Sequence, residues 1–392
     1  MPAICHIITG LNVGGAERHL AALLTRLESD ADAPGFRNEV VSLLDPGPMA
    51  QELGRIPVFG LGMGRGLATP HKWPAAIRNL ARILESRPPD LIQTWMYHAD
   101  LMGTAARRFA RWSGSAPPLV WGLRNAYVAS GAVRFSTRAA VSLLAMVSRR
   151  GSAPAAIVAP SHAAVRTHAE LGYAEDKLTV IPSGVDTARF APDSDARRRL
   201  LDAAGVDDPE ALLVGLVSRW DPVKDVPGFL EAVAALPEDT ASRAAHMLIG
   251  TGLDVSNKEL SRLVANHPRS GSIRMLGVRN DLAELLPGLD LAVNSSRGES
   301  LPMSVLEAMS CGVPCVVTDV GDSARAVGAT GSLAPPGDAL ALGHAMDRML
   351  RLPPAERRAL GQAARERIRA EYGLERSAAR YAALYRSLIA TA

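Results

Sequence analysis

The chain has 392 residues and a mass of 41.4 kDa, more than one ordinary hydrophobic core holds, so two or three domains are expected. Its 43 Lys and Arg against 40 Asp and Glu leave a formal net charge of +3, and aromatic residues make up only 4%. That balance and the scarcity of stacking side chains argue against a nucleic-acid surface. The longest apolar stretch, residues 139–148, lies between Arg138 and Arg149 and is half as long as a membrane-spanning helix requires.

In chain order, a strand is expected at residues 4–9, then a helix over 16–27 with Leu20, Leu23, Leu24 and Leu27 on one face. Between them lies a glycine-rich turn, residues 10–15, in which Gly14 and Gly15 are adjacent. Adjacent glycines there serve either a tight turn or a loop that lets a phosphate or sugar reach the backbone. The turn has neither the Gly-x-Gly-x-x-Gly nor the P-loop spacing. Further strands are expected at 39–44, 58–62, 91–95, 119–123, 156–159 and 178–182, with helical patterns between most of them. His98 follows the strand ending at Trp95 and lies near Asp100, and so is either a structural or a catalytic histidine.

Residues 185–208 are polar and rich in Asp and Arg, which reads as a linker. The alternation then restarts with strands at 212–217, 246–249, 273–276, 291–294 and 315–318, and an Arg- and Ala-rich tail from 354 onward reads as consecutive helices. Two doubly wound α/β halves follow, with ligands expected at the carboxyl ends of strands beside helix N-termini. Arg219 and Lys224 sit in that position, between the strand at 212–217 and a helix starting near Val226. They form either surface salt bridges or a clamp for a pyrophosphate.

The most informative stretch is 296–318, which places Glu299 and Glu307 eight residues apart. Pro302, Gly312 and Pro314 bound a short helix whose Val305, Leu306, Ala308 and Met309 leave no polar face, so Glu307 is expected to be buried with a partner. A ribose diol is one such partner, since an ionised carboxylate accepts two neighbouring hydroxyls; an arginine is the other. Three cysteines, Cys5, Cys311 and Cys315, have no zinc-site spacing and read as thiols in a reducing compartment, and the first residues lack the features of a signal peptide.

Taken together these residues resemble the retaining family 4 glycosyltransferases of GT-B fold. The resemblance rests on Gly14-Gly15-Ala16-Glu17, Tyr97-His98, Gly184-Val185-Asp186 with Phe190, Arg219 with Lys224, Leu276-Gly277, and a Glu-x7-Glu motif continuing as Leu306-Glu307-Ala308-Met309 and Gly312-Val313-Pro314. It implies two Rossmann-like domains facing across a cleft: residues 1–185 on the acceptor side, 190–370 holding a nucleotide diphosphate sugar, and a last helix, 371–392, crossing back.

It further implies that His98, Glu299, Arg219 and Lys224 are the catalytic candidates. Arg219 and Lys224 would neutralise the diphosphate, Glu299 and His98 would meet the donor sugar, and Glu307 would hold the ribose. Backbone at Ser300, Leu301 and Met303 would support sugar or phosphate, backbone at Val278 and Arg279 would read the base, and Gly14 and Gly15 would approach the phosphate or sugar. No metal and no other cofactor is implied.

The donor implied is a UDP-sugar, with a GDP-sugar as alternative. The acceptor would be a saccharide or lipid-linked hydroxyl in cell-surface polysaccharide or glycolipid synthesis. The setting expected is the cytoplasm, and the arginine-flanked segment 135–150 is either a peripheral contact with anionic membrane on the inner face or a buried helix of the first domain. Ser300, Ser183 and Arg124-Asn125 depart from the family's common Gly, Asn and His, which blurs the identity of sugar and acceptor. A GT-B sugar-nucleotide epimerase and a non-catalytic GT-B-like binding protein are the rival readings.

Overall fold

The computed structural model describes residues 1–12, 14–28, 35–64, 70–126, 135–151 and 153–392. Two compact units emerge: Met1–Gly184 together with Leu374–Ala392, and Val185–Gly373.

The first unit is built on seven strands, β1 (Ala3–Ile8), β2 (Arg37–Ser42), β3 (Val58–Gly60), β4 (Leu91–Trp95), β5 (Leu119–Gly122), β6 (Ala156–Ala159) and β7 (Leu178–Val180). They lie in the spatial order β3-β2-β1-β4-β5-β6-β7, and every pairing is parallel. Strands of a parallel sheet are covered on both faces, which is why they read as continuous apolar runs. In β1, Cys5 and Ile7 feed one apolar cluster while Ile4 and Ile8 feed another. The second cluster is closed by the last helix, Leu374–Ala390, whose Tyr381 and Tyr385 are fully buried. The Tyr385 hydroxyl donates to Gln93 Oε1 at 3.0 Å, and the Ser377 hydroxyl donates to the Pro182 carbonyl at 2.7 Å.

The second unit has six strands, β8 (Leu212–Val217), β9 (Ala244–Ile249), β10 (Ile273–Gly277), β11 (Leu291–Asn294), β12 (Cys315–Thr318) and β13 (Gly331–Ala334), in the order β10-β9-β8-β11-β12-β13 and again parallel. Leu213 points to one buried layer, and Leu212, Val214 and Leu216 to the other. In each unit the strand order reverses beside its first strand, between β1 and β4 and between β8 and β11. Loops diverge at such a point and leave a crevice at the strands' carboxyl ends.

Two differences from the sequence reading stand out. The stretch taken as a linker contains the helix Ala196–Ala204, which ends on Gly205 at φ 59°. Strand β13 was not anticipated, because Gly-Ser-Leu-Ala has neither the length nor the β-branched content of a buried strand.

Candidate functional site

In the second unit the crevice between β8 and β11 gathers three of the candidates. After β8 the chain runs through Arg219 into the short 3-10 turn Pro222–Lys224, and Asp225 then starts the helix Val226–Ala234. After β11, Asn294, Ser295 and Ser296 lead to Glu299. Lys224 Nζ forms an ion pair with Glu299 Oε1, with both side chains largely covered at 17% and 9% exposed. The same oxygen accepts from Ser296 Oγ at 2.8 Å and Asn294 Nδ2 at 3.2 Å. A carboxylate this covered is costly unless ion-paired and hydrogen-bonded, and these donors meet that cost. Gly321, at φ 60°, packs against the Glu299 backbone so closely that a Cβ there would lie 2.1 Å from the Glu299 carbonyl oxygen.

Arg219 is held differently. Its side chain is 60% exposed and its guanidinium is bonded to Asp221 at 2.9 Å; against the opposing effect of burial, the Val223 amide and then this guanidinium hold the Asp221 carboxyl below its ordinary range. The structure therefore brings Lys224 and Glu299 into direct contact and leaves Arg219 at the rim.

The helix bearing Glu307 runs Met303–Ser310, and Gly312 follows it at φ 80°. Glu307 is half-buried on a helix whose Val305, Leu306, Ala308 and Met309 are buried, so the expected burial is only partial. Burial, with the Glu307 carboxylate next in importance, pushes the Cys311 thiol up to about 12, which makes it unreactive. Ser300 and Leu301 are buried ahead of Met303, where the helix's first amides point out along its axis and lack i−4 acceptors within the helix. Gly277 closes β10 at φ 62°, followed by Val278, 57% exposed, and by Arg279, bonded twice to Asp281 at 2.9 and 2.6 Å.

In the first unit the corresponding crevice carries the turn after β1 and the start of the helix Tyr97–Phe109 after β4. Of the glycine turn, residue 13 lies outside the described residues. A Cβ at Gly14 would meet Glu17 Oε2 at 2.4 Å, whereas one at Gly15 would meet nothing within 4 Å, so the Gly15 backbone is the approachable one. Met96, at φ 72°, turns the chain so that His98 lies half-buried with its ring edge-on to Trp73, 6.3 Å away. Burial lowers the His98 pKa and favours the neutral ring.

Two residues on in the same helix, Asp100 is fully buried and bonded to Thr94 Oγ1 at 2.5 Å; burial pushes its carboxyl up to about 8, so it is held protonated at neutral pH. Arg124 stacks over Trp95 at 4.2 Å and donates to Tyr381 Oη at 2.9 Å and Ser183 Oγ at 3.2 Å. Asn294, Ser296, Asp225 and Arg297 were not singled out from sequence. Their one signal is a run of polar residues directly after an apolar strand.

A model described as Glycosyltransferase Family 4 matches residues 13–189, and one described as Glycosyl transferases group 1 matches residues 209–351. Among curated proteins, the Campylobacter jejuni N,N'-diacetylbacillosaminyl-diphospho-undecaprenol alpha-1,3-N-acetylgalactosaminyltransferase is 29% identical over 244 residues, 61% of each chain. The Bacillus anthracis N-acetyl-alpha-D-glucosaminyl L-malate synthase is 29% identical over 183 residues, 46% of each chain. The matches thus span less than two thirds of these relatives' length.

Among solved structures, Anabaena HepE in complex with UDP-glucose aligns with a TM-score of 0.80 at 22% identity, covering 99% of this chain and 100% of that one. Sucrose-phosphate synthase from Thermosynechococcus elongatus gives 0.79 at 20%, covering 100% of both. At these identities the likeness establishes the fold, which in its neighbours is that of GT-B glycosyltransferases.

Proposed function

Because the chain belongs to the family 4 glycosyltransferases and has their GT-B fold, we propose that it is a retaining, metal-independent enzyme that moves a hexose or N-acetylhexosamine from a nucleotide diphosphate sugar to a hydroxyl. The observation that carries this reading is the covered Lys224–Glu299 pair at the β8/β11 crevice, with the half-buried Glu307 on the adjoining helix. An ammonium has three donors, so Lys224 can bond Glu299 and still offer protons to a phosphate oxygen. Three donors converge on Glu299 Oε1, which leaves Oε2 to accept from a sugar hydroxyl.

As the bond from the sugar's anomeric carbon to the diphosphate breaks, negative charge grows on the leaving oxygen. Lys224 and the rim guanidinium of Arg219 stabilise that charge without reorganising solvent. The acceptor oxygen then bonds to the same face of the anomeric carbon, and its proton passes to the departing diphosphate. Glu307 takes the ribose diol, the backbone at Val278 and Arg279 takes the base, and first-turn amides near Ser300, Leu301 and Met303 support sugar or phosphate. In the first unit Gly14 and Gly15 are assigned to phosphate or sugar, and neutral His98 to the donor sugar.

The structure with UDP-glucose and the relative named for a diphospho-undecaprenol-linked sugar favour a UDP-sugar and a saccharide or lipid-linked acceptor. No helix among the described residues is long and apolar enough to cross a membrane. Contact with anionic lipid at the cytoplasmic face is assigned to the helix Phe135–Ser148, because Leu143 and Met146 are 39% and 43% exposed there with Arg138, Arg149 and Arg150 also exposed. Arg134 of that basic run lies outside the described residues.

The test is a turnover screen of UDP-, GDP- and ADP-sugars with lipid-linked acceptors in excess EDTA. Release of nucleotide diphosphate that needs the acceptor and survives EDTA is expected. Turnover with no acceptor dependence, or lost in EDTA and restored by Mg2+, contradicts the proposal.

A further inference from the structure

Asp225 follows Lys224 directly and is one of two non-glycine residues with positive φ among the described residues, at 48°. That conformation is unfavourable for side chains with a Cβ, although Asp tolerates it better than most, so something must hold it. Several bonds do. Its carboxylate accepts from the Gly228 amide at 3.3 Å and so caps the helix Val226–Ala234. Oδ2 of the same carboxylate accepts from Arg297 Nε at 2.8 Å. The Asp225 side chain is 8% exposed, whereas that of Arg297 is 61% exposed. The backbone is tied at the same place: the Arg297 amide donates to the Val223 carbonyl at 2.8 Å, and Ser295 Oγ lies 2.9 Å from the Lys224 carbonyl and 3.0 Å from that of Asp225. Apart from the cap on Gly228, every link runs between the loop that carries Lys224 and the loop that carries Glu299.

We infer that Asp225 and Arg297 form a latch that positions Lys224 and Glu299 for transfer, and that neither latch residue touches the substrate. The physical case is one of leverage. Lys224 and Glu299 sit one residue before Asp225 and two after Arg297, so a slip of the latch passes almost undiminished to the ammonium and the carboxylate. Charge development on the diphosphate is sensitive to such displacement: a misplacement of about 1 Å costs on the order of 100-fold in rate. Because Arg297 faces solvent, its pairing with Asp225 is open to screening. At about 1 M salt the screening length falls to about 3 Å, and the latch loosens while the covered Lys224–Glu299 pair is screened less.

This inference rests on the transferase reading, so its test combines a measurement that needs substrate with one that does not. Asp225→Asn keeps a residue that caps helices and tolerates positive φ while removing the charge, and Arg297→Gln removes the other charge from the surface. Each single variant is expected to lose about tenfold in kcat with the UDP-sugar that the wild type uses, with UDP affinity within about twofold of wild type, since a partial slip costs less than the full 100-fold. The double variant is expected to be no slower than the worse single, because residues in one network are not additive. In the absence of any substrate, hydrogen exchange of amides 223–226 and 295–299 is expected to rise about tenfold in Arg297→Gln, with the melting temperature nearly unchanged. Unaltered exchange in those two segments, or fully additive losses in the double variant, overturns the latch. Failure of the wild type to turn over any UDP-, GDP- or ADP-sugar defeats the transferase reading and leaves the exchange result to decide the latch.

Discussion

The two crevices secure their functional side chains by opposite means. Between β8 and β11, Lys224 and Glu299 are held by charge, with Ser296 and Asn294 completing the carboxylate's needs. Between β1 and β4, His98 is held against Trp73, Arg124 against Trp95, and Asp100 stays buried in protonated form. On the proposed reading, the second crevice offers a diphosphate a cation whose charge Glu299 balances. The first crevice is shaped instead by ring packing and by a carboxyl that burial keeps neutral. Charge removal should therefore damage the second unit's function and the first unit's pH behaviour.

The largest expected effect falls on the second unit. Lys224→Ala and Arg219→Ala should each lower kcat by roughly two to three orders of magnitude, the scale of losing one preorganised electrostatic contact. They should part company in stability. Lys224→Ala leaves the covered Glu299 carboxylate with only its Ser296 and Asn294 donors and should cost about 2 kcal/mol in chemical denaturation. Arg219→Ala, at a solvent-exposed rim, should leave the denaturation midpoint where it was. Near-normal turnover in both variants removes the clamp.

In the first unit the signs are set by titration. His6 and His168 are lowered by burial from 6.5 to about 4, so the folded protein keeps them neutral while the unfolded chain takes up protons. Their stabilisation is fully present above about pH 6.5 and is lost as pH falls toward 4. Asp100, raised to about 8, has the reverse effect: above the ordinary carboxyl range the unfolded chain ionises it, so its penalty grows from about pH 3.8 and levels off near 8. Asp100→Asn should therefore raise stability at pH 7 by about 2 to 4 kcal/mol and confer no gain at pH 4, as read by thermal melts across that range. A gain that does not vary with pH would show that Asp100 is ionised in the folded protein.

The two glutamates sharpen the division within the second unit. Glu307→Ala should weaken UDP and UDP-sugar binding alike by roughly 1.5 to 3 kcal/mol, because both carry the ribose diol. Glu299→Gln should leave UDP affinity almost unchanged and depress turnover of the sugar nucleotide. Calorimetric titration settles both, and wild-type UDP affinity in folded Glu307→Ala ends the ribose assignment.

The smallest effect concerns the surface of the first unit. Flotation with anionic vesicles, weakened by salt and absent with neutral ones, should fall when Arg149 and Arg150 are replaced by Gln, each cation contributing about 1 kcal/mol. Equal flotation with both vesicle types refutes the membrane contact.

Much of the sheet architecture is legible in the sequence because parallel strands advertise themselves as apolar runs. Residues 212–217, 291–294 and 315–318 coincide with β8, β11 and β12 for this reason. Strand β13 stays hidden because β-sheet pairing with β12, rather than any preference of Gly-Ser-Leu-Ala, makes it a strand. Site residues are legible as chemical types at the ends of strands, but their pairing is not. Nothing in the spacing of Lys224 and Glu299 says that they touch, since their contact depends on β8 and β11 becoming neighbours. Asp225 escaped notice for a related reason: its backbone conformation is imposed by Gly228, Arg297 and Ser295, which are near it only in the folded chain.

The helix Leu374–Ala390 belongs to the unit begun by Met1, and this has a consequence for synthesis. Its Tyr381 and Tyr385 complete the apolar layer formed by Ile4, Ile8, Leu20 and Trp95. On the ribosome that layer must wait for all of Val185–Gly373 to be made, a delay of roughly 10 to 40 s at ordinary elongation rates. The second unit is continuous in sequence and can close first. The nascent chain therefore carries an uncovered hydrophobic face for most of its synthesis, and chaperone demand should track the time from Gly184 to Tyr385 more closely than the length of the finished protein.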